Sequence, residues 1–160
     1  MTPKHLAAAA ALVAIPLALL SVSLSAATSD DAPLPMQRYS ASEVAAMAAA
    51  APKSANPGVQ MTNLVGDPTK PGLYTVRVAI AAHTTAKPHI HRDNRSVTVV
   101  SGTWSMGYGM QLDEKALKAL PPGSVYTEPA GQPHFSQTGD EPVVILVTGY
   151  GPSDTKFVQN

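Results

Sequence analysis

The sequence predicts an all-β barrel or sandwich preceded by a short helix, on three observations. Fifteen prolines and eleven glycines among 160 residues are more than a helical bundle tolerates, and they suit short strands joined by tight turns. From Pro57 onward, apolar runs of strand length alternate with clusters of Gly, Pro, Asn and Asp, the texture of a sandwich or barrel. The length itself leaves room for one hydrophobic core and hardly more.

The elements follow in order. Residues 1–27 read as a secretory signal: Lys4 and His5 give a weakly positive start, Leu6 to Leu20 an apolar run, and Ser25 and Ala27 a small-x-small site that places the cut before Thr28. The apolar stretch is nearly long enough to span a bilayer, but Pro16 and the serines weaken a stable span. The expectation is therefore a periplasmic or secreted protein with no membrane span after processing. No cysteine is present, which excludes disulfides, a lipid-bearing Cys and thiolate ligands.

Residues 28–56 form a lead and a short helix. Thr28 to Met36 is polar and proline-spaced, a flexible segment. Ser40 and Glu43 then have capping-box spacing, and an alanine-rich stretch runs to Ala51 before Pro52 stops it. Val44 and Met47 give this helix only a thin apolar stripe, enough to lie on something or to stay half-formed in a linker.

Residues 57–160 form the barrel. Strands are predicted at Met61 to Leu64, Tyr74 to Ala81, Lys87 to His91, Ser96 to Val100, Thr103 to Tyr108, Ser124 to Glu128, His134 to Gln137 and Val143 to Tyr150. One interruption reads as helical: Asp113 to Leu120, with Leu112, Ala116, Leu117 and Leu120 at helical spacing, ends at Pro121-Pro122-Gly123 and is expected as an inserted helix capping the barrel.

Charge narrows the partners. Lys plus Arg equals Asp plus Glu, eleven each, so nothing attracts a phosphate backbone over long range and nucleic acid is not an expected partner. A Gly-rich phosphate loop and a Ser-His-Asp arrangement with a nucleophile elbow are both missing from the sequence.

The chemistry lies in the histidines. His89 and His91 are separated by one residue in a predicted strand, so both imidazoles leave the same face. His134 follows the turn-rich Pro129-Ala130-Gly131-Gln132-Pro133, which can bring a third imidazole to the same place. Such a pair alone is more often surface or packing than a metal site.

The surrounding spacing resembles the two cupin motifs. His89-Ile90-His91, then Arg95, then Gly102 keeps every interval of the first motif, and Gly123 through Pro129, Gly131 and His134 matches the second, with Thr138 where the family often has Asn. The resemblance covers roughly Pro57 to the C-terminus and extends to small exported bacterial cupins. It implies a double-stranded β-helix, or jelly-roll barrel, with one divalent metal ion (Zn, Fe, Mn, Ni or Cu) held inside by His89, His91 and His134. It also implies a small-molecule ligand or substrate, and a homodimer as in other small cupins. It does not choose between a metal-dependent enzyme and a non-catalytic binder.

Arg95 departs from the family, which has Glu there. A guanidinium about 5 Å from a divalent ion costs several kcal/mol even at an effective dielectric near 20. Three arrangements are open. Arg95 swings outward to pair with Asp93 or solvent, leaving three histidines and open positions; or it points inward and clamps a substrate carboxylate; or the metal is lost and the barrel binds a small molecule or is a relic. Arg95, Tyr126 and Phe135 are the candidate substrate contacts. Trp104, Tyr108, Met106 and Met110 read as packing, His83 as a loop residue, Asp93 as a turn residue or substitute ligand, and Glu128 as a low-weight general base.

Overall fold

In the structure, a computed structural model, residues 33–158 are described. The signal expected over 1–27, and with it the start of the lead, lies outside the described residues. The helix α1 spans Ala41–Ala50. Its capping box is formed: the Ser40 hydroxyl accepts from the Glu43 amide at 3.3 Å, and the Glu43 carboxylate accepts from the Ser40 amide at 2.7 Å. Having no buried residue, the helix lies on the outside of the barrel, tied down where Gln60 Nε2 donates to the Ala48 carbonyl at 2.7 Å.

The strands are β1 (Val59–Val65), β2 (Gly72–Ile80), β3 (Thr85–Ile90), β4 (Arg95–Ser101), β5 (Trp104–Tyr108), β6 (Lys118–Leu120), β7 (Val125–Glu128), β8 (His134–Thr138), β9 (Val143–Gly151) and β10 (Lys156–Phe157). They form two antiparallel five-stranded sheets, ordered β1-β2-β9-β4-β7 and β10-β3-β8-β5-β6. Alternation along each strand sends one set of side chains between the sheets. Tyr74, Val76, Val78 and Ile80 of β2 meet Val97 and Val99 of β4 and Val143, Ile145 and Val147 of β9 there, facing Trp104, Met106 and Leu120 of the other sheet. Each such aliphatic side chain contributes about 1.5–3 kcal/mol by leaving water.

Two motif glycines are explained by backbone geometry. Gly102 turns β4 into β5 at φ +71°, and a Cβ there would lie 2.3 Å from the Pro142 carbonyl oxygen. Gly131, at φ +70°, donates its amide to the His91 carbonyl at 2.8 Å and so docks the second motif on the first. The departure at Thr138 keeps a tying role: its hydroxyl donates to the Ala81 carbonyl at 2.7 Å and accepts from the Thr84 amide at 2.8 Å.

The inserted helix is corrected. Residues Glu114–Ala116 make one 3-10 turn, capped by Asp113 accepting from the Lys115 amide, and the chain then straightens into β6. Leu120 pairs with Trp104 and is buried, whereas Leu112 is exposed. Sheet pairing thus overrides a helical spacing of leucines that has no second surface to cover.

Candidate metal centre

One end of the barrel collects the polar residues, because β3 ends there at Ile90, β4 begins at Arg95, β7 ends at Glu128 and β8 begins at His134. His89 pairs in register with His134 across β3 and β8. His91 lies just past β3 and, two residues on from His89, faces the same way. The rings are pairwise 4.4–5.0 Å apart between centroids. One nitrogen from each comes within 4.8 Å of the other two, so the three could hold a metal ion.

The opposite edge of each ring fixes which nitrogen that is. Nδ1 of His89 lies 2.7 Å from the Lys87 carbonyl oxygen, Nδ1 of His91 2.6 Å from that of Asp154, and Nδ1 of His134 3.2 Å from that of Gln132. A carbonyl oxygen only accepts, so each Nδ1 carries the proton and each Nε2 is left with a lone pair. The Nε2 atoms of His91 and His134 are buried with no hydrogen-bond partner. Buried polar atoms are seldom left so, and a cation is a partner that would satisfy both. Burial pushes His91 down to about 4, with the nearby Arg95 charge adding to it, and burial likewise lowers His89. Both rings are therefore neutral and ready to donate a lone pair at neutral pH. The donor set fits a divalent transition metal.

Arg95 does point inward, with only 12% of its side chain exposed. It does not pair with Asp93, which instead accepts from the buried Tyr74 hydroxyl at 2.5 Å. Its partner is Glu128, directly opposite in the β4–β7 register. Nε and Nη2 of Arg95 both reach Glu128 Oε2, at 2.7 and 2.5 Å. Burial raises the Glu128 carboxyl, but the Arg95 guanidinium beside it outweighs this and holds the group below the usual carboxylate range. The ionised pair is neutral as a unit, which removes most of the penalty an isolated guanidinium would impose on a cation here. It also leaves Arg95 committed to an internal carboxylate rather than free to clamp an external one.

Glu128 is the residue whose place sequence reasoning underrated. It is 5% exposed, and its carboxylate lies 3.7 Å from His91 Nε2 and 3.5 Å from His134 Nε2. Tyr126, two residues earlier and on the same face, donates to Glu128 Oε1 at 3.2 Å and accepts from Trp104 Nε1 at 2.9 Å. Burial, and then the Glu128 charge, pushes Tyr126 well above its ordinary value, so it stays a donor.

A cavity of about 490 Å³ opens beside these groups, walled by Met61, Val78, Trp104, Met106 and Ile145 and reached by the three histidines, Arg95, Tyr126 and Glu128. Phe135 takes no part in it. Its ring is fully buried on the other face of β8, where a Cβ on Gly107 would come within 2.7 Å of it. The expectation of a substrate contact there is corrected, because alternation along β8 turns Phe135 outward when His134 and Ser136 turn in.

No family model and no curated protein matches the sequence. Solved structures do. A DMSP lyase structure superposes with a TM-score of 0.54 at 21% identity over 63% of this chain and 53% of its own. The polyketide cyclase RemF from Streptomyces resistomycificus gives 0.55 at 18%, over 65% and 73%. A salicylate 1,2-dioxygenase variant from Pseudoaminobacter salicylatoxidans gives 0.60 at 14%, over 74% and 38%. The chain thus spans about half or less of the lyase and the dioxygenase. A cupin-superfamily sugar phosphate isomerase from Silicibacter pomeroyi and an RmlC-like cupin from Shewanella frigidimarina match as well, each with a TM-score of 0.50. Likeness at such identities speaks for architecture, and in architecture this chain has the double-sheet jelly-roll fold of those cupin structures.

Proposed function

We propose that the protein is an exported, metal-dependent cupin that holds one divalent ion through Nε2 of His89, His91 and His134 and acts on a small, largely apolar organic molecule in the adjoining cavity. The observation that carries this is the set of three imidazoles whose Nδ1 atoms are each held by a backbone carbonyl, and of which one nitrogen each lies within 4.8 Å of the others. When bound, the metal would supply Lewis acidity at the polar end of the cavity. Around it, apolar walls flank the space for a ligand, the carbonyls of Lys87, Asp154 and Gln132 fix ring orientation, and Tyr126 offers a protonated hydroxyl. The structural neighbours support an enzymatic role, since a lyase, a cyclase, a dioxygenase and an isomerase share the architecture. Their different chemistries leave the reaction itself open.

The test is metal analysis of protein purified without chelator or affinity tag, beside a His89→Ala/His134→Ala double variant. Near-stoichiometric metal lost in the variant supports the proposal. A wild-type protein that takes up no divalent metal on dialysis overturns it, and favours the second reading, a metal-free binding barrel, for which the presence of Arg95 in the site speaks. Export is tested separately by N-terminal sequencing of protein from the periplasm or medium, where Thr28 is the expected first residue.

A further inference from the structure

The position from which cupins usually present a carboxylate is held by Arg95, yet a carboxylate is present in the same volume. Arg95 and Glu128 are directly opposed on β4 and β7, and opposed residues in an antiparallel pair have Cβ atoms about 4.5–5.5 Å apart on one face. A carboxylate carried by either strand therefore reaches the same space. Building on the three-histidine reading, we propose that Glu128 is the fourth metal ligand, supplied from the second motif instead of the first, with Arg95 as the cation that holds it.

The geometry of the carboxylate favours this over a spectator ion pair. Oε2 takes two N–H groups from Arg95, which occupy its two lone pairs. Among the described residues Oε1 accepts from the Tyr126 hydroxyl alone, at 3.2 Å, and so keeps a lone pair, with His134 Nε2 3.5 Å away. Neighbouring ligand atoms around one tetrahedral ion, with bonds of about 2.0–2.2 Å, lie about 3.3–3.6 Å apart. The 3.5 Å from Oε1 to His134 Nε2 is of that size, whereas the 3.7 Å to His91 Nε2 is measured from Oε2, the oxygen that Arg95 holds. Both are too long for hydrogen bonds, and neither nitrogen has another partner among the described residues. Arg95 here acts as a positioning residue: it fixes the plane of the carboxylate and leaves Oε1 to the ion.

Two variants separate a ligand from a mere counter-charge. Glu128→Gln removes the charge and most of the ligand strength. The double variant Arg95→Met/Glu128→Gln removes both charges, so the pair stays neutral overall, as in the wild type. Metal-free proteins are titrated with Co2+, following affinity by equilibrium dialysis and coordination by the visible d–d bands, with circular dichroism to verify folding. Loss of a direct ligand predicts binding at least about tenfold weaker, with altered d–d bands, in both variants. If Glu128 only cancels the Arg95 charge, the double variant binds Co2+ as the wild type does with unchanged bands, which overturns the proposal and leaves the three-histidine site standing. Should Glu128→Gln fail to fold, the charge-balanced double variant decides alone. Wild-type protein that binds no Co2+ would instead remove the three-histidine reading itself.

Discussion

Replacing Arg95 by Met should strand an ionised Glu128 inside the barrel. In the folded protein the two side chains are 12% and 7% exposed and share two short hydrogen bonds, so water replaces little of what is lost. Breaking a buried pair by removing one partner typically costs about 3–5 kcal/mol, against about 0–1 kcal/mol for a surface pair. For a domain near 100 residues that corresponds to a fall in Tm of roughly 15–30 °C. The measurement is urea denaturation of metal-free protein with chelator present, for wild type, Arg95→Met and Arg95→Met/Glu128→Gln. The double variant should recover most of the loss, because no uncompensated charge remains. pH gives an internal check. Without Arg95, burial raises the Glu128 carboxyl in the folded state, so the deficit of the single variant is full only above that raised value and closes as pH falls through it towards the ordinary carboxyl value of about 4.5. A single variant within about 1 kcal/mol of wild type at neutral pH would refute the reasoning, since the pair would then behave as a hydrated one.

Other outcomes follow from the same contacts. Metal-free protein should lose stability as pH falls from about 6.5 towards 4: folded His91 resists protonation to about 4, while the unfolded chain takes the proton at 6.5. The effect is on the order of 2 kcal/mol after allowance for solvent screening, read from urea midpoints against pH and reduced in His91→Gln. Tyr74→Phe removes the hydroxyl that donates to Asp93 Oδ2, while Oδ1 is already buried and unpaired among the described residues. It should cost about 1–3 kcal/mol by chemical denaturation. Gly107→Ala drives a methyl into the Phe135 ring and towards the Ala116 carbonyl, and should destabilise by about 1–3 kcal/mol, whereas Gly139→Ala, with nothing within 4 Å, should be close to neutral in the same thermal melts.

Much of this architecture is legible in the sequence because it depends on local rules. The interval between His89 and His91 sets a shared face, and the glycines at 102 and 131 mark turns that need positive φ. The fate of Arg95 is another matter. It depends on a partner 33 residues away and on a register that only the assembled sheet defines, although Tyr126-x-Glu128 before Pro129 is itself an alternation that points both side chains one way. Phe135 shows the same rule left unapplied, since its neighbour His134 already determines its face. The leucines at 112, 117 and 120 have helical spacing without a helix, because Leu120 has a sheet neighbour in Trp104, and β6 and β10 are too short for any pattern to announce.

The hydrogen bond from Trp104 to Tyr126, and onward to Glu128, has a practical consequence. Trp104 is the chain's single tryptophan, so the tryptophan emission of the protein originates from one indole wired to the polar end of the barrel. Any event that rearranges that carboxylate should shift or quench the fluorescence, which gives an unlabelled optical signal for screening ions and small molecules without knowledge of the reaction.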